Sequence, residues 1–168
     1  FFHSVPTGFK ALNKESMPET DSGVTGLAWF KNRDDYNSPS LVDSSRGQSK
    51  NLFSSSGDAN QDYDKRGLSK FLKGGYSCGE YNYINGSGDR IVSWNWVANG
   101  GTTSANSSGS IASVVQANTT AGFSIATGTA PASGNFTYGH GLSQAPEVVF
   151  NKMTDTSGNW VCRWNDFT

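Results

Sequence analysis

The sequence has little charge and no long apolar run. Charged residues make up 16% of its 168 residues, and the formal net charge is −1 at pH 7. A chain this close to neutral offers no electrostatic basis for binding nucleic acid or an anionic membrane surface. No apolar stretch approaches the roughly 18 residues that a transmembrane helix needs. The sequence therefore predicts neither a nucleic-acid partner nor membrane insertion.

Cysteine is also scarce, and Cys78 and Cys162 are the only two. Their spacing fits neither a metal site nor a redox motif. We expect both to be unbridged, buried thiols, because free cysteine behaves as a small hydrophobe.

Turn-forming and aromatic residues are plentiful by contrast. The chain has 20 Gly, many Ser, Thr and Asn, and 12% aromatic residues. Aromatic content this high with almost no net charge is typical of a folded chain and not of a disordered one. The composition favours an all-β protein with many turns and with sheets solvated on one face.

The stretch 89–98 is the most informative. Val92, Trp94 and Trp96 are two residues apart, so an extended chain places them on one face, with Ser93 and Asn95 on the other. Two tryptophans bury on the order of 150–250 Å² each and need a facing layer. This predicts the central core strand of an antiparallel β-sandwich.

Other short apolar runs bounded by turn residues predict further strands. They lie at 26–31, 41–43, 52–53, 75–79, 111–115, 123–125 and 147–152. Tyr81 and Tyr83 alternate before a turn at 85–88, which predicts a hairpin with the tryptophan strand. Leu68, Phe71 and Leu72 fit either a short helix or a strand, and their spacing does not decide between them.

An offset of 120 residues relates the two ends of the chain. Residues 28–30 (Ala-Trp-Phe) align with 148–150 (Val-Val-Phe), and 41–42 align with 161–162. We interpret this as an internal repeat whose second copy is partial. The predicted organisation is a terminal strand and linker at 1–20, a β-sandwich core of the first repeat at 21–98, a Gly/Ser/Thr/Asn-rich linker and strand at 99–121, and the start of the second repeat at 122–168.

One motif suggests catalysis. Gly75-Tyr-Ser77-Cys-Gly79 fits the nucleophile elbow of α/β-hydrolases, and Asp89 and His140 follow in hydrolase order. An elbow requires a strand-to-helix turn, whereas an alternating strand pattern follows this motif. We therefore expect a core strand bounded by glycines, and no catalytic residue.

Two loops contain candidate binding residues. Asp58, Asn60, Asp62 and Asp64 place oxygen ligands at alternate positions, as an EF-hand loop does. Tyr63 replaces the glycine that an EF-hand needs, which leaves a looser calcium site or a solvated acidic loop. No other cofactor is expected.

The second loop combines an aromatic ring with carboxylate and amide groups. It contains Asp34, Asp35, Tyr36 and Asn37. These side-chain types suit a ligand such as a sugar, but an ordinary turn is the favoured interpretation of this cluster.

Several segments resemble the concanavalin/LamG-like repeat modules of virion-associated proteins, of tail-fibre or appendage type, in marine tailed bacteriophages. The resemblance covers roughly residues 27–152. It is carried by the segments 29–33, 41–47, 75–79, 91–96, 122–125 and 139–142, with Pro146; Trp94-Asn95-Trp96 is its most specific part. Residues 6–18 resemble the tail of a SPRY-like module.

The resemblance implies a concanavalin/LamG-like jelly roll in which 75–79 is a core strand and 68–73 is strand and turn. It also implies a virion location, with other virion proteins and further copies of the chain as partners. Three functions follow as hypotheses. The first is a non-enzymatic structural or adhesion module of a phage particle (tail fibre, appendage or capsid decoration); the second is a lectin-like domain that binds cell-surface glycan; the third, and least favoured, is an enzyme.

Overall fold

The computed structural model describes residues 26–72, 75–98 and 103–164, and these form an antiparallel all-β protein. The predictions for residues 1–20 lie outside the described residues. The strands are β1 (Gly26–Asn32), β2 (Ser40–Asp43), β3 (Lys50–Phe53), β4 (Gln61–Asp62), β5 (Leu68–Leu72), β6 (Gly75–Cys78), β7 (Ile91–Val97), β8 (Ser104–Asn106), β9 (Ser113–Asn118), β10 (Phe123–Gly128), β11 (Val148–Asn151) and β12 (Val161–Trp164). Within the described residues, helix is limited to a 3₁₀ turn (Asp64–Arg66) and a single α-helical turn, α1 (Asn82–Asn85). The predicted all-β fold class is therefore confirmed.

The strands form one five-stranded sheet and three smaller ones. The large sheet has the order β4-β3-β2-β1-β7, and the others are β5-β6, β10-β9-β8 and β11-β12. Segment 68–72 is thus a strand and not a helix, and 75–78 is a core strand as predicted. The segment 99–121, predicted to be a linker and strand, contains both β8 and β9.

The core lies between the large sheet and the β5–β6 hairpin. Side chains alternate along β1, and Ala28 and Phe30 point into this core. Phe30 is fully buried and meets Tyr76 of β6 edge to face, with ring centroids 4.8 Å apart. Ile84 of α1 and Ile91 of β7 complete the same cluster.

The prediction for the tryptophan strand is wrong in two respects. β7 is an edge strand of the large sheet, paired with β1, and does not form a hairpin with the Tyr81–Tyr83 segment, because α1 begins at Asn82. Trp94 and Trp96 are 47% and 38% exposed on the outer face. The inner position opposite Phe30 is Ser93, whose hydroxyl contacts the Tyr76 hydroxyl at 2.7 Å. The rings of Phe30 and Tyr76 therefore occupy the core on this face of β7, and its two tryptophans lie on the other face.

Close packing of β7 on β1 explains one glycine. A Cβ at Gly26 would lie 2.3 Å from the backbone oxygen of Trp96, so any larger residue would push the two strands apart.

Side chains link the three-stranded sheet to the large one. The hydroxyls of Ser44 and Ser45 donate to Oε1 of Gln116 at 2.8 and 2.7 Å. Trp96 stacks on Phe123 of β10, with centroids 6.3 Å apart. The outer face is therefore covered only in part.

Candidate functional site

The loop between β1 and β2 brings together the four residues predicted to bind a ligand. We call residues 33–39 the Tyr36 loop. The Tyr36 side chain is fully exposed, and it makes no hydrogen bond or ring contact with any described residue. An aromatic ring held entirely in water is unusual for a side chain of this size. The loop therefore leaves the whole Tyr36 ring accessible at the surface.

The Lys31 ammonium group holds the backbone of this loop. It donates to the carbonyl oxygens of Asp35 and Asn37, each at 3.0 Å, and to that of Asn32. The Asn32 side chain also holds the loop backbone, because its Oδ1 accepts hydrogen bonds from the backbone N–H groups of Asp34 and Asp35. This side chain is itself buried and donates to Asp89. The loop is thus anchored to the core.

An ion pair with Arg90 fixes one end of the loop. The Arg90 guanidinium donates to the Asp34 carboxylate, with Nε to Oδ1 at 2.9 Å, and the Arg90 backbone N–H donates to the same carboxylate at 2.5 Å. Hydrogen bonds from the Arg90 side chain and backbone lower the pKa of Asp34 from 3.8 to about 2. Asp34 is therefore ionised at neutral pH, and its carboxylate is bound to Arg90.

Asp35 and Asn37 also bond within the loop. Asp35 Oδ1 accepts from the Tyr36 backbone N–H at 2.7 Å, and Oδ2 accepts from Asn37 Nδ2 at 3.0 Å. The polar side chains of the loop therefore serve largely to order it. Among the four predicted residues, Tyr36 is the one left to contact a ligand.

The structure does not gather the candidate calcium ligands. Asn60 Oδ1 accepts from Arg46 at 2.7 Å, and Asp62 forms a salt bridge with Lys50, which lowers the Asp62 pKa to about 2. Asp58 is exposed, and Asp64 follows in the 3₁₀ turn. Within 26–72, 75–98 and 103–164, no group of three or more His, Cys, Asp or Glu side chains is arranged to hold a metal ion.

The candidate nucleophile Ser77 lies inside β6, and its carbonyl oxygen accepts from the Ser69 hydroxyl at 3.1 Å. His140 Nδ1 accepts the backbone N–H of Leu142 at 3.1 Å, as a turn residue does. Ser77 is therefore not at the strand-to-helix turn that a nucleophile elbow requires.

Sequence reasoning missed an aromatic cluster beside the core. Tyr81 lies between Tyr63 and Tyr83, with centroids 3.9 and 4.6 Å away, and Phe53 packs against the outer two. Burial, together with the neighbouring tyrosines, raises the pKa of Tyr81. The alternation of Tyr81 and Tyr83 predicted a strand with both rings on one face, whereas the chain turns into α1 here and the two rings stack face to face.

The exposure of the β7 tryptophans was also not predicted from the sequence. Trp94 packs on Trp29 of β1, with centroids 5.6 Å apart, and both belong to the outer face of the large sheet. One residue in the sequence could have indicated which face of β7 is turned to the core. Ser93 is small, and it lies on the inner face beside Phe30.

No helix in the described parts of the chain is long and apolar enough to cross a membrane. Comparison with curated proteins and with solved structures gave no significant match. One family model, described as a domain of unknown function (DUF7483), matches residues 14–168. That match spans most of the chain, so the chain belongs to the DUF7483 family.

Proposed function

We propose that this protein is a non-enzymatic structural or adhesion module of a phage particle, acting through surface contact. The observation that carries the proposal is the number of large apolar side chains exposed on strands. They are Trp94, Trp96, Val97, Val114, Phe150, Val161 and Trp164. Trp94 and Trp96 share the outer face of β7, where Trp94 packs beside Trp29, and contiguous exposed apolar surface marks sites that contact other macromolecules. The virion location rests on the resemblance of the sequence to phage appendage modules.

The distribution of these side chains supports contact over several surfaces. They occur on the large sheet, on the three-stranded sheet and on the β11–β12 hairpin. Contacts made by one module are expected to be weak, and repetition of modules around a symmetric particle multiplies them. The strand location of Ser77 is consistent with a module that performs no hydrolysis.

Immunogold labelling of purified particles tests this proposal. Antibody raised against the chain should label fibres, appendages or the capsid surface, and preimmune serum should not. Label that remains in the host cell and is absent from particles would refute the proposal.

A second function, glycan binding, is favoured by the Tyr36 loop. A fully exposed aromatic ring can stack on the apolar face of a pyranose, and the loop is ordered before any ligand arrives. Binding to a glycan array should be lost in Tyr36→Ala and retained in Tyr36→Phe, because stacking uses the ring. Phe136→Ala, at another exposed aromatic residue, is the control and should bind as wild type.

A further inference from the structure

The two edges of the large sheet differ in how they meet solvent. At one edge, β4 has two residues, and its Asp62 is paired with Lys50. At the other edge, β7 has seven residues, Ile91–Val97, with no charged residue and no proline. Its pairing with β1 runs through all seven residues without a bulge. Short length, charge, proline and bulges are the features that protect an edge from pairing, and β7 has none of them.

No strand in the described parts of the chain pairs with the outer edge of β7, which leaves its backbone groups unpaired at alternate residues. The Arg33 N–H donates to the Arg90 carbonyl at 2.8 Å, which marks these two as a hydrogen-bonded pair of the antiparallel ladder. By alternation, Val92, Trp94 and Trp96 bond to β1. The N–H and C=O groups of Ile91, Ser93 and Asn95 then point away from the sheet.

The hydrogen bonding of residue 97 agrees with this assignment. The Val97 carbonyl also belongs to the outward set, and it accepts from Asn118 Nδ2 at 3.2 Å. The Asn118 side chain therefore occupies one end of the edge. The stretch from Ile91 to Asn95 is the part without a partner in the described chain.

We propose that β7 of one copy pairs antiparallel with β7 of a second copy, about a two-fold axis at Ser93. The two five-stranded sheets then form one continuous sheet. This proposal rests on the proposed surface-contact function, and it names a second copy of the chain as the partner for this edge.

The sequence of β7 is complementary to itself in this arrangement. Ser93 pairs with its own copy, and Ile91 pairs with Asn95, so each outward N–H and C=O finds a partner. On the outer face Val92 lies opposite Trp94, and pairs of an aromatic and a β-branched residue stabilise sheets. No like charges meet, because the strand is uncharged and the whole chain has a net charge of −1.

The size of this contact predicts a weak dimer. A standard stable interface hides about 800 Å² of each partner. Five paired residues span only about 17 Å of edge, so they hide less than this. The dimer should therefore form at high micromolar and dissociate at low micromolar concentration.

Sedimentation equilibrium across this concentration range, combined with amide hydrogen exchange, tests the proposal. The apparent mass should approach twice that of the chain as concentration rises. Exchange of the Ser93 and Asn95 amides should slow in parallel, while the Val92 and Trp94 amides, already bonded to β1, should not change. A chain that stays monomeric throughout would overturn the proposal.

Variants at Asn95 separate this edge from other surfaces. Asn95→Pro removes an outward N–H and leaves the bonds to β1 in place, and Asn95→Lys adds an edge charge. Either change should weaken association at least about tenfold. Ala105→Lys, on exposed edge strand β8, is the matched control and should dimerise as wild type.

Two further readouts make the result decisive. Protection of the Val92 and Trp94 amides from exchange shows that a variant remains folded. If Asn95→Pro does not fold, Asn95→Lys tests the same edge. Dimers that persist in both variants would place the interface elsewhere and overturn the proposal. Gold labelling of particles is independent of dimerisation, so failure here and failure of the proposed function are distinguishable.

Discussion

Hairpins β1–β2 and β11–β12 share an apolar pattern at an offset of 120 residues and differ in burial. In the first, Phe30 is fully buried and Leu41 is only 9% exposed. In the second, Phe150 and Val161 are 55% and 62% exposed. Both are antiparallel, and Phe30 pairs with Ser40 whereas Phe150 pairs with Cys162.

The difference arises from what surrounds each hairpin. β1–β2 is extended by β3 and β7 at its edges and is covered by the β5–β6 hairpin. β11–β12 forms a two-stranded sheet, and such hairpins are marginal by themselves. The Trp160 indole N–H donates to the Phe53 carbonyl at 2.8 Å and anchors the second hairpin to the first sheet. Local pattern thus sets strand pairing, while distant segments set burial.

The phenylalanine pair should give the largest difference between the hairpins. Phe30→Ala should lower the free energy of unfolding by about 3–5 kcal/mol, because it empties a closed, fully buried position. Phe150→Ala should cost less than about 1 kcal/mol, because this ring is half in water. Denaturant unfolding monitored by circular dichroism measures both. Equal losses would show that β11–β12 is covered as β1–β2 is.

Thiol reactivity should separate the two regions next. Cys78 is fully buried in the first region, and burial raises its pKa to about 12, so it is neither reached nor ionised at pH 8. Cys162, in β12, is exposed. A thiol reagent should therefore modify one cysteine per native chain and two in denaturant, without prior reduction.

Cys162→Ser provides the control for this measurement. It should abolish the native reaction and leave one reactive thiol in denaturant. Two thiols reacting rapidly in the native chain would show that the core around Cys78 opens readily. Both cysteines are free, as the sequence predicted, but only Cys78 is buried.

Trp94→Ala should have an intermediate effect. Burial in the core would imply a loss of about 3–5 kcal/mol. The observed exposure of 47%, with one face packed on Trp29, implies about 1–2 kcal/mol. Denaturant unfolding measures this loss, and Ser93→Ala, on the inner face of the same strand, tests the Tyr76 contact separately. A loss near that of Phe30→Ala would place Trp94 in a core.

These residues show how far the sequence predicts the fold. Period-2 alternation and turn residues located most strands of the large sheet, because both signals are local. Alternation divides β7 into two faces and does not say which one faces the core. The larger side chains suggested that the tryptophan face is buried. Instead the Ser93 face is turned to the core, where Phe30 and Tyr76, which are far from Ser93 in sequence, pack against each other. Tertiary packing overrode the local pattern here.

The candidate site shows the same division. The residue types of the Tyr36 loop identified it as a binding candidate. Its order depends on Arg90, which is 56 residues from Asp34 and joins it only because β7 pairs with β1. Two of the candidate calcium ligands also have partners that their local spacing did not indicate, since Arg46 and Lys50 bond to Asn60 and Asp62.

The smallest effect should come from the Asp34–Arg90 ion pair, which distinguishes the loops of the two hairpins. The Arg90 contacts lower the pKa of Asp34 from 3.8 to about 2 in the folded chain. A lowered folded-state pKa stabilises the fold above the unfolded pKa, and this stabilisation is lost as pH falls from about 4 through about 2. Asp34→Asn should therefore lower stability at pH 7 and approach wild type near pH 2. Asp155→Asn, in the loop of the second hairpin, is the control for the loss of one exposed carboxylate and should unfold as wild type at pH 7. Because the pair is exposed, added salt should reduce the difference between Asp34→Asn and wild type at pH 7. A pH-independent difference would mean that Asp34 acts through its shape and hydrogen bonds and not through its charge.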